Sequence, residues 1–366
     1  MGGNKKTILL LGKLPPPYMG PSIATELLLK SKLSSNFNLL HIDTKVNTDL
    51  KNIGKLSFDK IKKNFSIYKN LITVNRNGKP QLAIIPFSQT TIGFIKDSIY
   101  IHICLLLKTK VLLHLRGSEF KIWMNRSNHL TRWYVKSTLN KCEGVIVLGN
   151  NLKYLFEAYL PENKIFVCPN GGTYQIPAKN KSNEKIKILY LGNLQPSKGI
   201  EDVIDAAKLL HDNNIKCTFD IIGGWRNEEV KNKCLNIVRE NELDINFYSQ
   251  EESIRKFDLM AQSDIFLFPP RAPEGHPWVI IEAMASSLPV ISTDQGAITE
   301  SVIDGENGFI VKTKSPEEIA SKIEILINDE NLRNWMSNKS RELYEAKFTE
   351  EKMVQRLTDI INKITA

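Results

Sequence analysis

Residues 264–292 read DIFLFPPRAPEGHPWVIIEAMASSLPVIS, and this stretch decides the fold. It opens on a short apolar run, residues 264–270, stopped by Pro269 and Pro270. A glycine- and proline-bearing loop follows, Glu274-Gly275-His276-Pro277. The next apolar run, from Trp278 through Glu282 to Ala285, has the character of a buried helix. Residues 288–292 form a second strand-like run. Strand, loop, helix and strand in that order make a βαβ unit. Proline is tolerated in a first helical turn, where its missing N–H costs nothing. Glu274 therefore belongs to the loop at the helix mouth and Glu282 to the helix itself. The amide N–H groups around His276 to Val279 would form an anion site. At about 1.5 Å rise per residue, Pro277 and Glu282 lie only ~7.5 Å apart along the axis. A sugar nucleotide suits this arrangement: hydroxyls at one carboxylate, a diphosphate at the helix mouth, ribose hydroxyls at the other carboxylate. A carboxylate near a helix start is common in its own right.

Working outward, the same alternation recurs. In the first half, strand-like runs occupy residues 7–11, 39–43, 82–86, 110–115, 144–148 and 164–168. A Gly/Pro loop spans 12–21, with helices expected over 22–32 and 151–159. After the turn at Pro169-Asn170-Gly171-Gly172, residues 177–185 are polar and lysine-rich, as a linker would be. The pattern then restarts: strands at 186–191, 217–222 and 246–248, and helices at 199–210 and 227–240. It runs on to a strand at 308–311 and helices at 316–327, 330–346 and 350–363. Short apolar runs separated by helical segments indicate parallel sheets covered on both faces. The expectation is an α/β chain of two doubly wound domains facing across a cleft. The boundaries read are 1–170, 171–348 and a C-terminal helix, 349–366, that crosses back to the first domain. Ligands of such sheets bind at the carboxyl ends of the strands.

The 366 residues suffice for two domains of common size, and 42% hydrophobic content supports sizeable cores. Cys104, Cys142, Cys168, Cys217 and Cys234 are scattered, with no paired spacing, which points to reduced thiols and a cytoplasmic setting. The apolar run near residue 8 is too short for a signal peptide. That at 98–107 falls well short of the roughly 20 residues that span a bilayer. The net charge of +9 is uneven: residues 1–110 hold 17 Lys and Arg against 5 Asp and Glu. The excess points to an anionic partner. Its densest part, residues 51–79, interleaves Lys60, Lys62, Lys63, Lys69 and Arg76 with Phe58, Phe65, Ile67 and Tyr68, a pattern that suits peripheral contact with an anionic membrane surface.

Several strand-end loops would line the site. Gly192-Asn193-Leu194-Gln195-Pro196-Ser197-Lys198-Gly199 leaves a strand and enters a helix. There Lys198 would neutralise a diphosphate, and the glycines allow close backbone approach. Gly223-Gly224-Trp225 ends the next strand, residues 248–252 form a loop where a base could be read, and Gly296 is placed to line the donor site. In the first half, residues 12–21 with Gly20 and Pro21 overhang the expected cleft, and His114 and Arg116 end a strand.

Taken together, Glu274 and Glu282, Gly192 with Lys198-Gly199, Ala261-Gln262-Ser263-Asp264, Pro289-Val290-Ile291 and Glu300-Ser301-Val302-Ile303-Asp304-Gly305 with Asn307-Gly308 resemble the retaining, nucleotide-sugar-dependent glycosyltransferases of the GT-B fold, family four. The resemblance covers about residues 144–348, and residues 1–120 only in outline. It implies two Rossmann-like domains, an N-terminal one for the acceptor and a C-terminal one for the donor, and retaining transfer without metal or other cofactor. The donor would be a nucleotide diphosphate sugar, UDP favoured over GDP, and the acceptor a glycan or lipid-linked sugar of bacterial surface polysaccharide assembly. Glu274, Lys198, His114 and Arg116 would serve catalysis. Glu282, Gly192, Asn193, Lys198, Gly223, Arg271, Gly275, His276, Pro277 and Trp278 would bind the donor, Glu282 at the ribose. Two departures stand out. Asn193 occupies a place where arginine is common, so Arg271 or Arg116 is expected to supply the missing charge. Arg116 stands where histidine is usual, with His114 two residues earlier. A sugar-nucleotide epimerase on the same fold, a retaining glycosidase and a nucleic-acid-binding protein are the alternatives. The glycosidase would need its carboxyl groups ~5 Å apart, and no nucleic-acid recognition motif is present.

Overall fold

The computed structural model describes residues 5–16, 19–46, 58–178, 185–249 and 255–366, and of residues 58–61 the backbone alone. Pro17, Tyr18, Lys51, residues 179–184 of the linker, residues 250–252 of the base-reading loop and the Lys60 side chain lie outside the described part. The chain forms two compact units. One comprises Met1–Asn170 with Glu350–Ala366, the other Gly171–Thr349.

The first unit contains β1 (Thr7–Gly12), α1 (Gly20–Lys30), α2 (Leu33–Asn36), β2 (Asn38–Asp43), α3 (Phe58–Gly78), β3 (Leu82–Pro86), α4 (Thr91–Leu106), β4 (Lys110–His114), α5 (Phe120–Arg126), α6 (His129–Asn140), β5 (Gly144–Val147) and β6 (Ile165–Val167). Its six strands are all parallel, in the order β2-β1-β3-β4-β5-β6. Ile8, Leu9, Ile85, Leu112, Leu113 and Val145 are fully buried, as strands covered on both faces require. From β2 onward each crossover moves the same way along the sheet. Right-handed connections therefore place α3, α4 and α6 side by side on one face. The Tyr68 and Tyr100 rings, 5.1 Å apart, join α3 to α4, and a 2.7 Å hydrogen bond between the Ser98 and Tyr134 hydroxyls joins α4 to α6.

The second unit contains β7 (Ile186–Leu191), α7 (Ile200–Asp212), β8 (Cys217–Ile222), α8 (Glu228–Glu240), β9 (Ile245–Tyr248), α9 (Lys256–Gln262), β10 (Ile265–Phe268), α10 (Trp278–Ala285), β11 (Val290–Thr293), β12 (Gly308–Val311), α11 (Pro316–Asn328) and α12 (Glu330–Lys347). Its parallel order is β12-β11-β10-β7-β8-β9. The last helix, α13 (Glu350–Thr365), belongs to the first unit. It turns Met353, Val354, Leu357 and Ile361 inward, and Lys6 donates to Thr365 Oγ1 at 2.9 Å.

The structure corrects two expectations. Residues 151–159 are not an α-helix: Asn150–Leu155 is a 3-10 turn followed by further turns. Paired asparagines favour turns over helix interiors, and buried Leu152 and Leu155 repeat at the three-residue spacing of the tighter coil. Gly20 and Pro21 do not overhang as a loop but open α1, where the fixed proline φ is already helical.

Candidate active site

In the second sheet the strand order reverses between β7 and β10, and ligands of open α/β sheets bind outside the carboxyl ends at such a point. The two loops that leave those strands are stitched together. The Arg271 and Ala272 amides donate to the Ser197 carbonyl at 3.0 and 3.3 Å. Gly199, with φ +77°, lies so close to the Pro269 carbonyl that no side chain fits between them. The buried Tyr190 hydroxyl lies 3.3 Å from the Asn193 carbonyl and 3.2 Å from that of Lys198, pinning both ends of the loop after β7.

This scaffold brings Lys198 to Glu274. The ammonium donates to Glu274 Oε1, and the two side chains are only 25% and 14% exposed. Behind Glu274, Gly296 (φ +63°) abuts its carbonyl, and the Ala297 amide donates to the Gly275 carbonyl at 2.9 Å. Gly296 therefore packs against the backbone of the Glu274 loop.

Pro277 precedes α10 and Trp278 begins it, so Glu282 falls in the second turn, buried to 4% exposure. Lys256 donates to its Oε1 at 2.7 Å, while Oε2 is buried with no hydrogen-bond partner among the described residues. Burial raises the Glu282 carboxyl above the ordinary glutamate range, and Lys256 opposes the shift. The nearby Tyr174 hydroxyl is likewise buried without a partner. Burial and the Glu282 charge push its pKa up. An orphaned carboxylate oxygen in such a place costs free energy unless a donor group meets it.

Other expected donor residues are placed differently from one another. Gly192 and Gly223 meet at the ends of β7 and β8: Gly192 N–H donates to the Ile222 carbonyl at 3.1 Å, and Gly223 N–H to that of Tyr248 at 3.0 Å. The His276 ring points inward, 2.6 Å from Ser301 Oγ and packed on Phe348, so this residue brings backbone rather than side chain to the helix mouth. Trp278 is buried. Arg271, expected to supply the charge that Asn193 lacks, is paired with carboxylates of α7. Its guanidinium is committed to Asp202, at 2.6 and 2.7 Å, and to Glu201, at 2.8 Å. Both carboxylates lie in the first turn of α7.

A cation that the spacing did not indicate stands at Asn193 instead. Leu194 pairs with Trp225 in an isolated parallel bridge, and the Arg226 amide donates to the Leu194 carbonyl at 3.2 Å. The exposed Arg226 guanidinium then donates to Asn193 Oδ1 through Nε, at 3.2 Å, and Nη2, at 2.9 Å. Only the pairing of the two loops discloses this.

In the first unit His114 ends β4, with Arg116 two residues on. The His114 ring is buried and neither nitrogen has a partner among the described residues. Burial, reinforced by the Arg116 charge, holds its pKa well below the usual histidine range. Burial pulls Arg116 down to about 10, and its Nε is unpartnered. Gln89 Oε1, after β3, and Ser118 Oγ are buried and unpartnered as well. Gln89 lies against Gly117, so the four side chains share the carboxyl ends of β3 and β4. Gln89 carried no signal in the sequence. Sequence alone does not show that β3 and β4 are neighbours.

Residues 173–343 match the family model of glycosyl transferases group 1. The match supports a GT-B glycosyltransferase, and the two parallel six-stranded sheets have the GT-B arrangement. The chain is similar, at 27% identity over 98% of either chain, to an uncharacterized glycosyltransferase of Methanocaldococcus jannaschii. It is 28% identical to a capsular polysaccharide biosynthesis glycosyltransferase of Staphylococcus aureus, over 60% of this chain and 61% of the relative. Among solved structures, Anabaena HepE in complex with UDP and glucose superposes with a TM-score of 0.71 at 16% identity, covering 98% of this chain and 100% of that one. The family match favours neither an epimerase nor a nucleic-acid-binding protein.

Proposed function

We propose that the protein is a retaining glycosyltransferase that moves a sugar from a nucleotide diphosphate sugar, UDP before GDP, to the hydroxyl of a lipid-linked glycan in surface polysaccharide assembly. The observation that carries the donor half is the buried Glu282 Oε2, without a partner among the described residues and beside the reversal point of the sheet, with the Lys198–Glu274 pair at the mouth of the same helix. Two ribose hydroxyls would donate to Glu282, the diphosphate would sit on Lys198 and the first amides of α10, and the sugar hydroxyls would donate to Glu274. Arg226, presented by Asn193, adds the second cation. No metal enters this reading. The UDP-bound HepE complex and the capsular relative support the donor and the product class.

In this reading the bond between the sugar C1 and the diphosphate oxygen breaks. The acceptor oxygen bonds to C1 on the same face, and its proton passes to the departing phosphate. Lys198 and Arg226 stabilise the charge that gathers on that phosphate. The unpartnered polar groups of Gln89, His114, Arg116 and Ser118 would hold the acceptor. Burial keeps His114 neutral at neutral pH, so that it can both donate and accept. The test is incubation with a panel of UDP- and GDP-sugars and a polyprenyl-diphosphate sugar, with mass and anomeric configuration of the product read by mass spectrometry and NMR. An extended glycan with the donor's anomeric configuration is expected. Inverted configuration, or no transfer from any donor, would overturn the proposal.

A further inference from the structure

Twelve large hydrophobic side chains are exposed among the described residues, and eight of them lie on α3 to α6 of the first unit. They are not scattered. On α4, Ile92, Ile95, Ile99 and Leu106, exposed by 79, 50, 40 and 82%, fall on one outward stripe along its four turns. The inward stripe of the same helix is already occupied by Phe94, Ile101 and Cys104. On α6, Leu130 and Trp133, 72 and 65% exposed, point outward beside it. On α3 the outward stripe is Lys62, Phe65, Lys69 and Arg76, with Phe65 exposed by 70%. Because α3, α4 and α6 pack side by side, the three stripes form one surface: cations along one side, aliphatic side chains in the middle, leucine and tryptophan along the other.

The charge around it is one-sided. Residues 62–140 contain thirteen Lys and Arg and only two acids, Asp97 and Glu119. Asp97 is buried, with the Ser88 amide and hydroxyl donating to it. Among the described residues, Lys62, Lys69 and Arg76 have no carboxylate partner. An apolar stripe this long, left in water, is unusual for a surface with no use for it. Flanked by unpaired cations and a tryptophan, it has the composition of helices that lie in the plane of an anionic bilayer. Among the described residues no helix is long and apolar enough to cross a membrane. α4 starts at the carboxyl edge of the sheet, the edge that carries Gln89, His114 and Arg116.

We infer that the outer face of α3, α4 and α6 docks on an anionic lipid bilayer, with the α4 isoleucines entering the headgroup boundary and Lys62, Lys69 and Arg76 meeting lipid phosphates. This deepens the acceptor reading above: it would bring a lipid-linked sugar to the polar cluster at the edge of the same sheet. The donor site does not depend on it.

The test is co-sedimentation of the full chain with phosphatidylglycerol/phosphatidylcholine vesicles and with pure phosphatidylcholine vesicles. The variants are Ile95→Glu with Ile99→Glu, and Lys62→Gln with Lys69→Gln and Arg76→Gln. The parent should pellet with the anionic vesicles and several-fold less with the neutral ones. The isoleucine variant should lose about tenfold of the bound fraction at low and high salt alike, and the cation variant should fall to the neutral-vesicle level. Both should bind UDP as the parent does, which reports folding and the donor site separately. Should the double variant fail to fold, Ile92→Glu alone and the blue shift of Trp133 emission on adding vesicles, measured against Trp133→Phe, replace it. Equal pelleting of parent and isoleucine variant would overturn the inference. So would a lipid-free, concentration-dependent dimer of the parent that Ile95→Glu abolishes, since a second copy would then own the face. Failure of UDP binding by the parent would sink the donor reading and leave the docking face standing.

Discussion

Asn193 Oδ1 accepts two hydrogen bonds from the one Arg226 guanidinium, at 2.9 and 3.2 Å, across two loops that are 33 residues apart in sequence. The amide cannot supply charge itself, but it fixes where the charge of Arg226 stands. If that charge meets the diphosphate, Arg226→Ala should weaken UDP binding about tenfold or more, as loss of a hydrogen bond to a charged group does. Asn193→Arg in the Arg226→Ala background should restore most of it. Calorimetry with UDP and with uridine separates the outcomes: the uridine affinity should not move.

The Lys198–Glu274 pair gives a second expectation. Lys198→Ala should lower kcat/KM by about 2–4 kcal/mol of transition-state stabilisation, as removal of a preorganised donor at developing charge does. Glu274→Gln should leave UDP affinity near the parent value and depress turnover, because Gln retains the bulk while losing the strong acceptor of sugar hydroxyls. A Glu274→Gln variant that turns over like the parent would remove Glu274 from the sugar.

Glu282 predicts a pH dependence with a definite sign. Burial raises its carboxyl pKa above the ordinary range. For a group raised on folding, the stabilising contribution is fully present below the unfolded pKa and is lost as pH rises through the folded one. At pH 8 the parent therefore bears the cost of a buried charge that Glu282→Gln does not. The glutamine variant should melt at or above the parent temperature at pH 8, with the difference closing as pH falls towards the ordinary glutamate range. Its UDP affinity should be lower throughout, and the parent's should decline on the acid side as Glu282 protonates. Thermal denaturation and calorimetry between pH 4.5 and pH 8, roughly the span over which a raised carboxyl titrates, would check both.

The polar cluster of the first unit should act on the acceptor alone. Gln89→Ala and Arg116→Gln are expected to raise the acceptor KM several-fold and leave UDP binding unchanged. His114→Phe fills the buried site without either nitrogen and should depress turnover more than stability, since neither ring nitrogen has a partner to lose. A loss of UDP affinity in any of the three would assign the cluster to the donor instead.

Much of the fold was legible because a parallel strand buried on both faces writes itself as an uninterrupted apolar run, a purely local signal. The runs at residues 186–191, 217–222 and 308–311 coincide with β7, β8 and β12. Helices α3 to α6 were not read from the sequence. On α4 the outward face carries Ile92, Ile95, Ile99 and Leu106 where an ordinary surface helix is polar, which blurs its amphipathic period.

The site divides along the same line. By itself the sequence determined the glutamate pair around a helix start, and the glycine and lysine of the loop after β7, because those depend on spacing within one βα step. The tertiary structure alone decided the partnerships. Strand order put β7 beside β10, and so Lys198 on Glu274. A bridge between two loops put Arg226 on Asn193. The start of α7 claimed Arg271 for Asp202 and Glu201, and the adjacency of β3 and β4 brought Gln89 to His114. These contacts join residues remote in sequence. Their energies are set by which loops the sheet brings together, and no local pattern in the chain encodes that.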